Sequence, residues 1–338
     1  MAKGGTRRSL EVVVKQVPAF SAGLAFIAAS VSVASTSVSV ASPAGGSETR
    51  ESEVIRTYIV AAGGDCVFPE SIDVQDGKFY TGGLCDGNLY RGDLDRRRAA
   101  VFVPAGERPR AVAGIKATAT RLVVARGGGR ASVFDRVTGK RVARFATGLG
   151  NKSTLNDVAI APDGDAYLTD FRLSKIYRIS ARAIANRRTG VQKLRVFNNL
   201  RGTVFPVEED SANGIAVTRG GRFLLVGHFS ADQLYRVRLS NGHVHRVRLH
   251  DGMSLDHPDG ITLRGQRTAY VVEFGSQSVA KVRLSTHYDS GRIVSRTKRP
   301  RFQWPTSAAI AGDRLLVVNS QFGGPGVPPW TVSSIPLP

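Results

Sequence analysis

Cysteine is scarce in this chain, and so are long apolar runs. Only two of the 338 residues are cysteines and they form no Cys-x-x-Cys pair, which argues against a zinc knuckle or a thioredoxin-type site. No Gly-x-Ser-x-Gly motif is present, so the nucleophile elbow of a serine hydrolase is not indicated. After residue 47 no apolar stretch is long enough to span a bilayer, so no transmembrane helix is expected there.

Acidic residues are also few. Lysine and arginine total 47 against 27 acids, which gives a formal charge of +20 and a pI near 10.7. The arginines alternate along segments such as Tyr235–Arg238, a spacing that places them on one exposed strand face. Such a surface can bind a polyanion or can simply be a basic, solvated surface. No nucleic-acid-binding module motif is present, so specific nucleic-acid recognition is not indicated.

Residues 1–47 differ from the rest of the chain. They begin with a basic segment, continue through an apolar Ala/Val/Ser run from Val17 to Ala41, and end in small residues. This pattern predicts a secretory signal peptide and a secreted or cell-envelope protein, with an organellar transit peptide as the alternative. A membrane anchor is disfavoured because serines interrupt the apolar run. Residues 48–338 are predicted to form one domain.

A repeat organises that domain. The stretch at 155–171, LNDVAIAPDGDAYLTDF, reads as two short strands around a Pro-Asp-Gly turn, and related stretches begin near residues 69, 109, 212, 258 and 305. Aligned on their first polar positions, the copies are separated by 40, 46, 57, 46 and 47 residues. Periods of about 40 to 50 residues built from short strands are typical of β-propellers. Six copies predict an all-β, six-bladed β-propeller with four antiparallel strands per blade.

The last copy lacks its fourth strand before the chain ends. The strand-like segment Val54–Val60 has no partner in the first copy, so it is predicted to complete the last blade and close the ring. An extra edge strand on the first blade is the alternative. An aromatic residue follows the second strand in four copies, and these side chains are predicted to pack between neighbouring blades: Phe171, Phe229, Phe274 and Phe322.

The two cysteines flank one predicted hairpin. Cys66 precedes the first strand of the first copy, Cys85 follows the second strand, and the chain turns between them at Asp76–Gly77. The two ends of a hairpin are close, so a Cys66–Cys85 disulfide is predicted for a secreted protein. Two buried free thiols are the alternative.

The first residues of the innermost strands should converge on the central channel. In the six copies these positions are Glu70, Arg110, Asn156, Asn213, Asp259 and Thr306. Carboxylate and amide oxygens together form a suitable ligand set for a hard divalent cation, most favourably calcium.

The segments FPESI, LNDVAI, ANGIAV and HPDGI resemble the senescence-marker-protein/gluconolactonase family, which includes regucalcin, and are nearest to its uncharacterised secreted bacterial members. The resemblance covers nearly all of residues 54–322. It implies a six-bladed propeller with one divalent metal bound by Glu70, Asn213 and Asp259. It also implies that Asn156 holds substrate and that Asp259 activates water for attack on a lactone.

The loops that follow the second strands add three polar residues, Asp170, His228 and Glu273. They are predicted to contact substrate, with a solvated loop position as the alternative for each.

Two functions remain open. The first is a metal-dependent hydrolase of a lactone or small ester, acting as a monomer on a small molecule. The second is a non-catalytic secreted propeller that binds a ligand, a polymer or a protein partner.

Overall fold

The computed structural model describes residues 55–64, 66–107, 109–206 and 211–338. Within them the chain forms six small antiparallel sheets, each with four strands that we label a to d from the channel outward. Strand a of each blade contacts strand a of the next, and the sixth contacts the first. The predicted six-bladed β-propeller is therefore confirmed. The predicted signal peptide at 1–47 lies outside the described residues.

The strands a to d have the following bounds. In blade 1 they are Pro69–Gln75, Lys78–Gly83, Leu89–Asp93 and Ala99–Val103. In blade 2 they are Val112–Ala117, Arg121–Arg126, Arg130–Asp135 and Arg141–Ala146. In blade 3 they are Leu155–Ile160, Ala166–Asp170, Lys175–Ile179 and Arg195–Asn199.

The second half of the ring repeats the pattern. In blade 4 the strands are Ala212–Val217, Phe223–His228, Gln233–Arg238 and Val244–Arg246. In blade 5 they are Pro258–Arg264, Thr268–Glu273, Ser278–Leu284 and Ser290–Lys298. In blade 6 they are Pro305–Ala311, Arg314–Asn319, Trp330–Pro336 and Arg56–Ala61.

Four further elements lie between these strands. Val191–Lys193 pairs in parallel with strand d of blade 2, and Arg248–Leu249 pairs in parallel with strand d of blade 5. The helical elements are a 3-10 turn, Gly150–Lys152, and a short α-helix, Ala181–Ala185, which we label α1. No helix in the described ranges is long and apolar enough to cross a membrane.

The hydrophobic core lies between the blades rather than within them. Six clusters of buried side chains each combine residues of two neighbouring blades, as where Val133 of blade 2 packs with Leu168 of blade 3. The inner strands are buried on both faces, which explains why strand b segments such as Arg121–Arg126 are nearly continuous apolar runs. The predicted interblade packing of aromatic residues is also confirmed: ring centroids lie 5.7 Å apart for Phe171–Phe229 and for Phe229–Phe274.

The N-terminal strand closes the ring as predicted. Arg56–Ala61 pairs antiparallel with Trp330–Pro336 as the outermost strand of blade 6. Its Tyr58 side chain reaches blade 1, where the hydroxyl donates a hydrogen bond to the Leu94 carbonyl at 2.9 Å. Residues far apart in the chain thereby join the two ends of the ring.

Cys66 and Cys85 are bonded to each other, with their Cα atoms 5.6 Å apart. The hairpin between them turns at Asp76 and Gly77, which both adopt positive φ angles, 49° and 70°. That conformation is the one that a two-residue hairpin turn needs.

Removing this disulfide is expected to destabilise the protein without changing its fold. A cross-link between residues 19 apart restricts the unfolded chain, so the double variant Cys66→Ser/Cys85→Ser should lose about 3 kcal/mol of unfolding free energy. Urea denaturation of the variant beside the oxidised and reduced wild type measures this loss. Equal stabilities for all three would contradict the prediction.

Candidate functional site

Every strand a carries a β-bulge at its start. In five blades two consecutive residues of strand a face a single residue of strand b, as in blade 3, where the register shifts between Leu155 and Val158. A bulge changes the direction of side chains that a regular strand would point to alternate faces. The bulged pairs are Glu70–Ser71, Asn156–Asp157, Asn213–Gly214, Asp259–Gly260 and Thr306–Ser307. All the predicted channel residues except Arg110 therefore occupy equivalent backbone positions.

Arg110 was wrongly placed in this ring. In blade 2 strand a begins only at Val112, and its register shift leaves Ala113 as the bulged residue. Arg110 precedes the strand and is exposed. The repeat is more irregular here than elsewhere, which moved the sequence alignment by three positions. Blade 2 consequently contributes a methyl group, rather than a cation, to the ring.

The bulges bring neighbouring inner strands into close contact. A Cβ atom at Gly214 would lie 2.0 Å from the Asp259 carbonyl oxygen, so only glycine allows blades 4 and 5 to approach this closely. Near the bulged positions, threonine hydroxyl groups also form hydrogen bonds between neighbouring blades. Thr306 Oγ1 donates to the Glu70 carbonyl at 2.6 Å, and Thr169 Oγ1 donates to the Asn213 carbonyl at 2.7 Å. The backbones that carry the site residues are thus fixed relative to each other.

Three acidic side chains at this level influence one another. Glu70 and Asp259 are only 7% and 6% exposed. Burial raises the pKa of Glu70 well above its ordinary value, and the carboxylates of Asp259 and Asp157 raise it further. Burial and Asp157 likewise raise the pKa of Asp259. Like charges that share a poorly solvated space favour protonation or a bound cation, because either one removes the repulsion.

The two asparagines of the ring offer oxygens that have no donor. Asn156 Oδ1 and Asn213 Oδ1 are both buried, and neither accepts a hydrogen bond from a described residue. A buried polar atom without a partner is costly, and amide and carboxylate oxygens are the ligands that hard cations prefer. The residues present therefore fit a divalent cation.

Asp157 is a site residue that sequence reasoning missed. Its carboxylate accepts hydrogen bonds from the backbone N–H groups of Val158, at 2.7 Å, and Ile215, at 3.0 Å. Burial nevertheless raises its pKa to about 6. The only available signal was its place beside Asn156, and strict strand alternation assigns these two residues to opposite faces.

Lys116 and Asp73 continue the charged network. Lys116 Nζ lies 3.0 Å from Asp73 Oδ1, and the other Asp73 oxygen accepts the Ala117 N–H at 2.8 Å. Asp73 and Asp157 together raise the pKa of Lys116 despite its burial. The ammonium group stays charged and partly balances the acids of the ring.

Asp170, His228 and Glu273 are the last residues of strand b in blades 3, 4 and 5, not loop residues as predicted, and each pairs with the first residue of its blade's strand a. All three are fully buried and hydrogen bonded within or beside their own blades. Asp170 accepts the Ser153 hydroxyl at 2.6 Å, His228 contacts the Pro206 carbonyl through Nε2 at 3.1 Å, and Glu273 pairs with Arg296 at 2.9 Å. The contacts with Ser153 and Pro206 hold the segments that precede strand a, and the pair with Arg296 joins strand b to strand d of blade 5. Substrate contact by these three side chains stays a prediction, and the geometry does not favour it.

A second group of possible metal ligands combines the loop between strands b and c of blade 4 with the segment before strand a of blade 5. Asp232, Asp256 and His257 place one ligand atom each within 4.8 Å of one another. Their mutual contacts account for this arrangement: the His257 backbone N–H donates to Asp232 Oδ1 at 2.7 Å, and His257 Nδ1 lies 2.9 Å from Asp256 Oδ1. The three side chains are partly solvated, so they do not need a cation for their hydrogen bonds.

Comparison with known proteins places this geometry in context. A family model described as "SMP-30/Gluconolactonase/LRE-like region" matches residues 71–320, well over half of the chain. No curated protein sequence matches the chain significantly.

Many solved structures share the fold at low sequence identity. A luciferin-regenerating enzyme is 15% identical, with a TM-score of 0.59 over 84% of this chain and 96% of that chain. A calcium-binding regucalcin from Agrobacterium tumefaciens is 14% identical, with a TM-score of 0.58 over 82% and 95%. Virginiamycin B lyase from Staphylococcus aureus is 11% identical, with a TM-score of 0.56 over 84% and 99%. At these identities the likeness establishes the fold alone.

Proposed function

The chain belongs to the SMP-30/gluconolactonase/LRE-like family, and from this premise we propose that it is a metal-dependent hydrolase of a lactone or small ester. One observation carries the proposal: two buried amide oxygens without donors, on Asn156 and Asn213, occupy the same ring as the buried carboxyl groups of Glu70 and Asp259. No hydrogen bond from the part of the chain that the structure describes satisfies these oxygens, whereas a cation would.

Glu70, Asn213 and Asp259 are the residues that would hold the ion. A bound divalent cation supplies Lewis acidity that polarises a carbonyl oxygen. Calcium is the preferred ion because the proposed ligands are all oxygens, and the similar regucalcin structure is described as calcium-binding. Asn156 presents its amide beside this set, where it would orient the substrate.

Asp259 is the proposed general base. Its pKa is raised by burial and by the Asp157 carboxylate, so it takes up a proton more readily than an ordinary aspartate. The Gly260 backbone N–H hydrogen-bonds to its carboxylate and keeps it oriented. Asp157, held by two backbone N–H groups, would act on the proton affinity of Asp259 without touching the substrate.

The narrow ring supports a small substrate. Strand a backbones approach each other closely enough that a Cβ at Gly214 or Gly260 would overlap the next blade.

The Cys66–Cys85 disulfide supports a secreted or cell-envelope location, because such bonds persist in oxidising compartments.

The metal-free protein should lose unfolding free energy as the pH rises, and metal binding should remove this loss. Burial raises the pKa of Asp157 from its ordinary value of 3.8 to about 6 in the folded protein. Its favourable contribution is therefore complete below about pH 4 and is lost as the pH rises through about 6. Glu70 and Asp259 shift in the same direction. We expect the metal-free protein to lose on the order of 2 kcal/mol between pH 4 and 7.5 from Asp157 alone, and more from Glu70 and Asp259. Calcium should restore this stability at pH 7.5 and have little effect at pH 4.

Thermal denaturation across this range, with and without calcium, manganese and zinc, measures the effect. Asp157→Asn should reduce the pH dependence of the metal-free protein, with the remainder coming from Glu70 and Asp259, and serves as the matched control. The same metal-loaded samples are then assayed on a panel of lactones and aryl esters. A protein that binds no divalent ion contradicts the hydrolase proposal and points to a non-catalytic binding propeller. Tight metal binding with no hydrolysis of any panel member points there too.

A further inference from the structure

A cavity of about 450 Å³ lies on the outer side of blades 2 and 3, away from the strand a residues of the channel. The connection between strands c and d of blade 3 builds it. This segment runs from Ser180 to Leu194, forms α1, and then leaves its own blade. Its strand Val191–Lys193 pairs in parallel with strand d of blade 2, and the Arg188 N–H donates to the Val142 carbonyl at 3.0 Å. Two blades therefore hold the cavity walls in place.

Cations dominate the cavity lining. The charged residues around it are Arg178, Arg182, Arg188, Lys193 and Arg195, and no acidic side chain lines it. Arg178 forms an ion pair with the nearby buried carboxylate of Asp165. Among the described residues, the other four cations make no ion pair with a carboxylate. The four side chains are exposed, so water screens part of their mutual repulsion, and a bound anion would lower it further.

An uncharged donor completes the set. Gln192 also lines the cavity, and its amide Nε2 is buried without an acceptor among the described residues. A buried N–H donor without a partner is costly, and an oxyanion in the cavity would satisfy it. The missing group at this place is therefore an acceptor with negative charge.

Comparison with a larger cavity on blade 1 shows what distinguishes this one. That cavity, of about 590 Å³, is lined by Arg96, Arg97 and Arg98 among others. Its lining also includes Asp93, which forms an ion pair with Lys78 at 3.0 Å, and no unsatisfied side-chain donor lies there. Basic residues are common on this protein, but only the blade 2–3 cavity combines unpaired cations with a buried, unsatisfied donor among the cavities described.

We propose that the cavity between blades 2 and 3 binds a compact, multiply charged phosphate ligand through Arg182, Arg188, Lys193, Arg195 and Gln192. Guanidinium groups match the oxygens of a phosphate in pairs, and several phosphate charges are needed to balance four cations. The volume lies within the range of small-molecule sites. The site is independent of the channel and of any hydrolase activity.

Isothermal titration with inorganic pyrophosphate and with tripolyphosphate tests the site. The Asp259→Asn variant is used as the background, so that chelation of a channel metal cannot produce heat. We expect saturable 1:1 binding that weakens as salt is added, since salt screens the exposed cations. The double variant Arg188→Gln/Arg195→Gln should bind about tenfold or more weakly. Gln192→Leu should weaken binding several-fold at unchanged net charge, while the melting temperature of the ligand-free protein stays equal or rises because a buried unsatisfied donor is removed.

The control variant is Arg219→Gln/Arg264→Gln, which removes two exposed arginines outside the cavity and lowers the net charge equally. It should bind like the parent. Equal loss in both double variants would mean that phosphate follows only the net charge and would overturn the proposal, as would the absence of saturable binding in the parent. Long-chain polyphosphate then separates two sources of the ligand. Weaker binding of the chain to the cavity variant indicates a polymer, and unchanged chain binding beside lost pyrophosphate binding indicates a free small phosphate.

Discussion

Replacing Asp259 with asparagine is expected to lower hydrolysis of a responsive lactone on the order of 10²–10⁴-fold, the range associated with loss of a general base. The variant retains an amide oxygen but lacks both the negative charge and the proton acceptor. It should also lose the calcium-induced increase in melting temperature. Hydrolysis assays and thermal denaturation on the same samples measure both effects.

The melting temperature of Asp259→Asn shows whether its activity is lost through the missing carboxylate or through misfolding. Burial first, and then the Asp157 carboxylate, raise the pKa of Asp259, so its charge is unfavourable in the metal-free protein. Asp259→Asn should therefore melt at the same temperature as the metal-free wild type at pH 7.5, or at a higher one. A variant that unfolds without metal would mean that the side chain is needed for folding and would contradict this electrostatic account.

A second substitution distinguishes the base from a ligand. Glu70→Gln removes a proposed ligand charge but leaves Asp259 in place, so high calcium concentrations should restore much of its activity. The same concentrations should not restore Asp259→Asn. The exposed acid Asp313 provides the matched control, because Asp313→Asn changes the charge equally outside the channel ring and should keep full activity. Restoration of both site variants by calcium would assign Asp259 to metal binding alone.

Tyr58→Ala is expected to destabilise the propeller by about 3–5 kcal/mol, the usual cost of truncating a buried aromatic side chain. Tyr58 is 3% exposed and lies in the strand that completes blade 6. Its ring meets Phe79 of blade 1 edge-on at 5.2 Å, and its hydroxyl binds the Leu94 carbonyl of the same blade. The substitution therefore loosens the contact that joins the first and last blades.

Two matched variants show which contact matters. Tyr58→Phe keeps the ring and removes only the hydrogen bond, so it should lose about 0.5–1.5 kcal/mol. Thr57→Ala alters the neighbouring residue of the same strand, whose hydroxyl accepts a hydrogen bond from the exposed Arg301 at 3.2 Å, and should change stability by about 0.5 kcal/mol or less. Urea denaturation of the four proteins measures the series. If Tyr58→Ala behaves like Thr57→Ala, ring closure does not depend on this side chain.

The architecture was predictable because each blade repeats the same sequence pattern of short apolar strands separated by turns. Alternating apolar residues, Gly-containing turns and a recurring aromatic such as Phe229 reflect strands that can bury their faces only against the next blade. The closing strand was also predictable, because Val54–Val60 is strand-like and has no partner in the first copy, and Arg56–Ala61 does pair with Trp330–Pro336. These features depend on period and pattern, which a sequence displays directly.

The details of the channel were less predictable. The repeat placed Glu70, Asn213 and Asp259 at equivalent positions, and the resemblance to the family singled them out as metal ligands. Asp157 was missed and Arg110 was misplaced, because β-bulges and an irregular second repeat shift side chains by amounts that strand periodicity does not encode. The burial of Asp170, His228 and Glu273 likewise depends on partners such as Ser153, Pro206 and Arg296, brought in by loop geometry.

The sequence by itself determined the number of blades, the strand that closes them and most of the oxygens in the ring. Only the tertiary structure decided that two asparagine oxygens are left without donors, that Asp157 raises the pKa of its neighbours, and that five cations surround one outer cavity. The physical reason is distance. Repeats and turns arise from residues close together in the chain, whereas burial and electrostatic interaction depend on groups from different blades that meet only when the ring closes.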